Sequence, residues 1–170
     1  MAIAANQHLV LVGMMGAGKS TVARLAAARL GRRVLDSDAV IEAAEGRTIR
    51  EIFVTDGEPA FRRLETQVLV EALADPEPAV IAAAGGVVLS DINRRALCSS
   101  SARVVWLCAN PTTLEARVLS AHHRPLLDND PSGTLQRMFI EREHLYREVA
   151  DLIVSVDSRS VSEVVEAVLR

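Results

Sequence analysis

Residues 13–20 read Gly-Met-Met-Gly-Ala-Gly-Lys-Ser, and this octet constrains the chain more than any other stretch. It follows an apolar run at 8–12 and opens a segment of helical pattern at 19–30. Strand, glycine loop and helix in that order, with the spacing GxxxxGK[ST], predict a cradle for nucleotide phosphates. Small residues let backbone N–H groups turn inward around phosphate oxygens, and a helix N-terminus adds favourable partial charge. Gly16, Ala17, Gly18, Lys19, Ser20 and Thr21 are therefore the expected ATP-phosphate residues. Lys19 would reach the β- and γ-phosphates, and the Ser20 hydroxyl would serve Mg²⁺, an ion that keeps several waters and borrows oxygens from its substrate. A strand–helix turn that binds nothing is the bland alternative, but it leaves the lysine unexplained. Of nineteen basic residues, Lys19 is the sole lysine and the rest are arginines.

Short apolar runs recur at 33–35, 79–83, 104–108 and 152–156, several of them continuously apolar with β-branched residues among them, as strands covered on both faces tend to be. Helical patterns fall between them at 37–45, 48–55, 59–73, 91–99, 111–120 and 134–150, and a last one closes the chain at 161–169. The alternation argues for an α/β fold on a parallel sheet. At 170 residues the chain suits one domain, 1–170, with one core. Aromatic residues are only 3%, so Ala, Val, Leu and Ile must build that core, with Trp106 and Tyr146 as single packing groups.

Composition excludes several function classes. The formal charge is −3 and the pI about 5.8, with no basic stripe of the kind nucleic-acid binding requires. No apolar run approaches the roughly 20 residues that span a bilayer, and the N-terminus lacks the pattern of a secretory signal, so a cytoplasmic protein without membrane or nucleic-acid partners is expected. Cys98 and Cys108 form no CxxC or metal-ligand cluster; Cys108 reads as a buried core thiol, and no disulfide is expected. No NKxD guanine-reading signature is present, and the chain is too short for most motor ATPases.

The acceptor side is less explicit. Asp36 and Asp38 stand two apart at the end of the second run, beside the phosphate loop, where open α/β sheets bind ligands. One carboxylate could organise Mg²⁺ and the other orient an acceptor hydroxyl; equally, Asp36 or Ser37 could simply cap the next helix. Arg62 and Glu65 share a helix face at i, i+3, which suits a guanidinium held for carboxylate recognition or an ordinary surface ion pair. Ala84-Gly85-Gly86 ends the third run, either for close ligand approach or as a tight turn. Residues 122–133, rich in Asp, Asn, Pro and Gly, read as a lid or a plain connection.

Together, GMMGAGKST, DSD, DGEPAFRRLE, the third-strand glycines, RPLL and LYREVAD resemble the shikimate kinase family, in order and over nearly the whole chain. The resemblance implies a five-stranded parallel sheet of order 2-3-1-4-5 with helices on both faces, P-loop kinase architecture, a lid at about 121–133 and an acceptor-binding region at about 36–66. It implies transfer of the γ-phosphoryl of ATP to a shikimate hydroxyl, with Lys19, Asp38 and Arg124 catalytic and Mg²⁺ served by Ser20 and Asp36. Asp38, Arg62, Gly85, Gly86 and Arg147 would bind the acceptor, and Arg117 and Arg159 would flank adenine. A monomer is expected. Ala84-Gly85-Gly86 stands where the family usually carries three glycines, so Ala84 departs at the first of them, which leaves open a kinase of another hydroxy acid such as gluconate, or a weakened regulatory module.

Overall fold

The computed structural model describes residues 3–119 and 130–170. Arg124 and most of the expected lid lie outside them. Five strands, β1 (Leu9–Val12), β2 (Arg33–Asp36), β3 (Ala79–Ala82), β4 (Arg103–Cys108) and β5 (Leu152–Ser155), form one parallel sheet in the order 2-3-1-4-5. The helices are α1 (Lys19–Leu30), α2 (Ser37–Glu45), α3 (Ile49–Thr55), α4 (Glu58–Ala74), α5 (Asp91–Ser99), α6 (Pro111–Leu119), α7 (Pro131–Val149) and α8 (Val161–Leu169). A 3₁₀ turn at Val87–Leu89 precedes α5.

The central strand β1 is fully buried along its length, so its continuous apolar run has protein on both faces. Helix α1 turns Val22, Ala23, Ala26 and Ala27 inward, and the three alanines let its backbone lie close to the sheet. On α7 the buried residues are Leu135, Met138, Arg142, Tyr146 and Val149, a repeat of three and four that defines one face. Tyr146 stacks on Trp106 of β4 with ring centroids 5.5 Å apart, so both single-copy aromatics are core packing groups. Cys108 is only half-buried at the core's edge, because β4 reaches solvent there; Cys98 is exposed, and both thiols are free.

A second, smaller core of Ile41, Ile52, Phe61 and Val68 joins α2, α3 and α4. It sits apart from the main core and fixes the segments expected to carry the acceptor site.

One helix boundary departs from the sequence reading by more than a single residue. Helix α7 begins at Pro131 rather than 134, so 131–133 are its first turn rather than loop. The Asp130 carboxylate accepts from the Gly133 N–H at 3.0 Å, and proline occupies the first turn. Asp followed by Pro is a helix-start signal, since Pro lacks the N–H that the first turn leaves unpaired.

Candidate active site

The phosphate loop joins β1 to α1. Gly18 precedes the helix at φ +88°, a conformation that a side chain resists, and the added Cβ would meet nothing within 4 Å. Backbone freedom, not space, is what requires glycine there. The helix that follows has no side-chain cap and no acidic residue in its first turn, so its leading N–H groups face the cleft. Lys19 folds back over the loop, its Nζ donating to the carbonyls of Gly13 at 2.8 Å and Met14 at 3.0 Å.

Three cavities surround this loop. The first, about 220 Å³, is lined by Gly16, Gly18, Lys19, Ser20, Thr21, Asp36, Asp38, Ala82, Ala83, Ala84 and Gly85. Asp36 therefore both lines the phosphate cleft and caps α2, its Oδ1 accepting from the Asp38 N–H at 3.2 Å. Capping and site roles, alternatives in the sequence, are compatible in the fold. Among the described residues no three His, Cys, Asp or Glu side chains gather as a metal cluster. A divalent ion near Ser20 and Asp36 would thus complete its shell with water and phosphate oxygens, as Mg²⁺ does.

The second cavity, about 310 Å³, opens on the other side of Asp38 and holds Arg62, Glu65, Ala84, Gly85, Gly86 and Arg142. Ile49, Phe53 and Phe61 supply apolar wall, and Met15, Glu42 and Arg50 complete the lining. Arg62 is fixed by two carboxylates: Nη1 donates to Glu65 at 2.6 Å and Nη2 to Glu58 at 2.7 Å. Glu65 is almost wholly buried, and that burial pushes its carboxyl above the ordinary range despite the opposing Arg62 charge. Its Oε1 has no hydrogen-bond partner among the described residues. A Cβ on Gly86 would overlap the Arg62 guanidinium, so that glycine makes room for the arginine. At Gly85 a Cβ would lie 3.3 Å from the Met15 N, where third strand and phosphate loop nearly touch.

Arg147 is not part of this pocket, which corrects the sequence reading. Its side chain is about half exposed, pairs with Glu143 at 2.9 Å and lies 5.3 Å from the Trp106 ring centroid. Arg142 occupies the expected place instead. Only 5% of its side chain is exposed, Nη1 donates to the Gly85 carbonyl at 3.4 Å, and Nε has no hydrogen-bond partner among the described residues. The physical reason is helical phase. Arg142 is four residues before the buried Tyr146 and shares its face, whereas Arg147 is one residue after it and turned away by about 100°. The inward repeat on α7 was the signal that could have found it.

Ala84 has no left-handed backbone: among the described residues only Ser158 combines a side chain with positive φ. The position does not demand glycine for conformational reasons, and its methyl lies on the wall shared by both cavities.

The third cavity, about 250 Å³, runs from Gly16, Gly18 and Thr21 to Arg117, Val156, Arg159, Val161 and Val164. Arg117 and Arg159 thus line one cavity beside the phosphate loop. Arg117 donates to the carbonyls of Gly16 and Val156, each at 3.3 Å.

The profile of the shikimate kinase family matches residues 15–170. A curated shikimate kinase of Symbiobacterium thermophilum is 43% identical over 165 residues, covering 95% of this chain and 94% of that protein. The solved shikimate kinase of Acinetobacter baumannii, in complex with shikimate, superposes with a TM-score of 0.91 at 36% identity, over 96% of this chain and 90% of the other. A gluconokinase of Sinorhizobium meliloti superposes at 0.57 with 19% identity over 96% and 90%, a likeness of fold alone. These matches, on a chain whose phosphate-loop cleft and arginine-lined cavity share one aspartate, make it a member of the shikimate kinase family.

Proposed function

We propose that the protein transfers the γ-phosphoryl group of ATP to a hydroxyl of shikimate, giving shikimate 3-phosphate and ADP. The observation that carries this reading is the position of Asp38, which lines the phosphate cleft on one side and the arginine pocket on the other. A carboxylate on that border is placed to orient a hydroxyl and accept its proton as the phosphoryl moves.

The pocket's charges select the acceptor. Arg62 already has Glu58 and Glu65, whereas the nearest carboxylate paired with Arg142 is Glu141, at 3.9 Å. A buried cation calls for a close partner, and a ligand carboxylate bridging Arg62 and Arg142 supplies one. Ile49, Phe53 and Phe61 offer apolar surface for a carbon ring. On the phosphate side Lys19 and the open α1 N-terminus neutralise developing charge. Mg²⁺, held through Ser20 and, by way of water, Asp36, would add Lewis-acid stabilisation of the phosphates. Arg117 and Arg159 flank the adenine. In this reading residues 1–170 act as one unit and as a monomer.

The test is ADP release, coupled to a spectroscopic readout, with shikimate, gluconate or no acceptor. Release with shikimate alone is expected. Release with gluconate alone would reassign the acceptor, and nucleotide binding without turnover would point to a regulatory module.

A further inference from the structure

The two arginines of the third cavity stand on different parts of the chain, and something must hold them at a fixed separation. Arg117 lies on α6, which follows β4, while Arg159 lies in the loop between β5 and α8. Asp157 ties these parts together. Its carboxylate accepts from the Asn110 backbone N–H, at 3.1 and 3.2 Å to the two oxygens, and from Asn110 Nδ2 at 3.0 Å. Asn110 is the residue immediately before α6, and its own carbonyl accepts the first helical bond, from the Leu114 N–H at 3.0 Å. Asp157 thus anchors the start of the helix that carries Arg117.

A second tie lies two turns further on, where Arg117 donates to the Val156 carbonyl. Between Asp157 and Arg159 stands Ser158 at φ +58°, the one described residue with a side chain in left-handed backbone. Such a conformation persists only where its surroundings enforce it, and it is often retained at ligand sites. Here it lets the chain turn sharply from the clasp to the cavity wall.

We propose that Asp157, through its clasp on Asn110, is a positioning residue for the nucleobase end of ATP. It sets the distance between the Arg117 and Arg159 walls without touching phosphate or acceptor. This rests on the nucleotide-binding part of the function proposed above, but its test needs no acceptor turnover.

The test is calorimetric titration of the whole protein with Mg·ADP and, separately, with Mg·pyrophosphate. Asp157→Ala should weaken Mg·ADP roughly three- to tenfold, inside the roughly 2- to 30-fold span of such indirect coupling. Pyrophosphate reaches only the phosphate loop, and its affinity should change less than about twofold on the same scale. Asp157→Asn keeps an oxygen for the Asn110 N–H and should lose less than the alanine variant. Asn110→Ala, which retains the backbone N–H, should also fall between, and these two variants carry the test if Asp157→Ala does not fold. Equal losses for ADP and pyrophosphate would make the clasp a general fold element, and unchanged ADP affinity in all three variants would also overturn the proposal. Failure of shikimate turnover with the ADP pattern intact would count against the acceptor alone.

Discussion

At the scale of single residues, the exchange of Arg147 for Arg142 has the clearest consequence. Arg142→Ala should raise the Michaelis constant for shikimate by roughly 10- to 150-fold, the worth of a charge-assisted hydrogen bond. Arg147→Ala should change it little, because Arg147 faces Glu143 and Trp106. Steady-state kinetics at saturating ATP compares the two directly, and the opposite ranking would restore the reading from the LYR motif. Lys19→Ala should abolish most turnover with the melting temperature preserved, and Lys19→Arg should also be poor, since a planar fork does not replace a compact ammonium inside the loop. Ala84→Gly should change kcat/KM by less than about tenfold. The alanine backbone is unstrained, so glycine there removes only a methyl from the wall and adds unfolded-state entropy. A large gain in turnover would mean that the methyl obstructs the acceptor.

At the scale of elements, α3 and α8 begin in the same way. Thr48 and Glu51, and again Ser160 and Glu163, exchange side-chain and backbone hydrogen bonds in capping boxes. Bonds from Thr48 hold the Glu51 carboxyl below its ordinary value of 4.5, and the Ser160 hydroxyl and N–H do the same for Glu163. Depressed folded values mean that this stability is full above 4.5, the unfolded value, and is lost as pH falls through the folded values. Glu51→Gln or Glu163→Gln should therefore narrow the difference in urea midpoint between pH 7 and pH 3, which circular dichroism would follow. An unaltered pH dependence in both variants would remove the boxes from the acid response. The capping pattern was legible in sequence, as was the helical character of both segments. The start of α7 is legible too, since Asp130-Pro131 fits a cap and first turn as well as loop composition.

At the scale of the whole molecule, His8 illustrates a link that no local pattern announces. Its ring is buried, with Nδ1 accepting from the Ala79 N–H at 3.1 Å and Nε2 donating to the Asp75 carbonyl at 2.9 Å. It thereby fastens the entry of β3 to the entry of β1, neighbours in the sheet but 71 residues apart. His8→Ala should cost about 1–3 kcal/mol in urea unfolding, because a buried N–H would lose its acceptor. A cost near zero would mean that water replaces the ring.

The sequence by itself determined the parallel sheet, the phosphate loop and the order of the motifs, because each rests on local chemistry: strand periodicity, glycine spacing and a lone lysine ahead of a helix. Strand order and family followed from the combined motifs. The tertiary structure alone decided which side chains converge. Arg142 rather than Arg147 lines the cavity beside Arg62 because helical phase and the Tyr146–Trp106 packing turn one inward and the other out. Asp36 is both cap and cleft wall, and Asp157 joins two loops, because the parallel pairing of β4 with β5 brings their carboxyl ends together. Convergence depends on distances between segments far apart in the chain, which spacing along it does not encode.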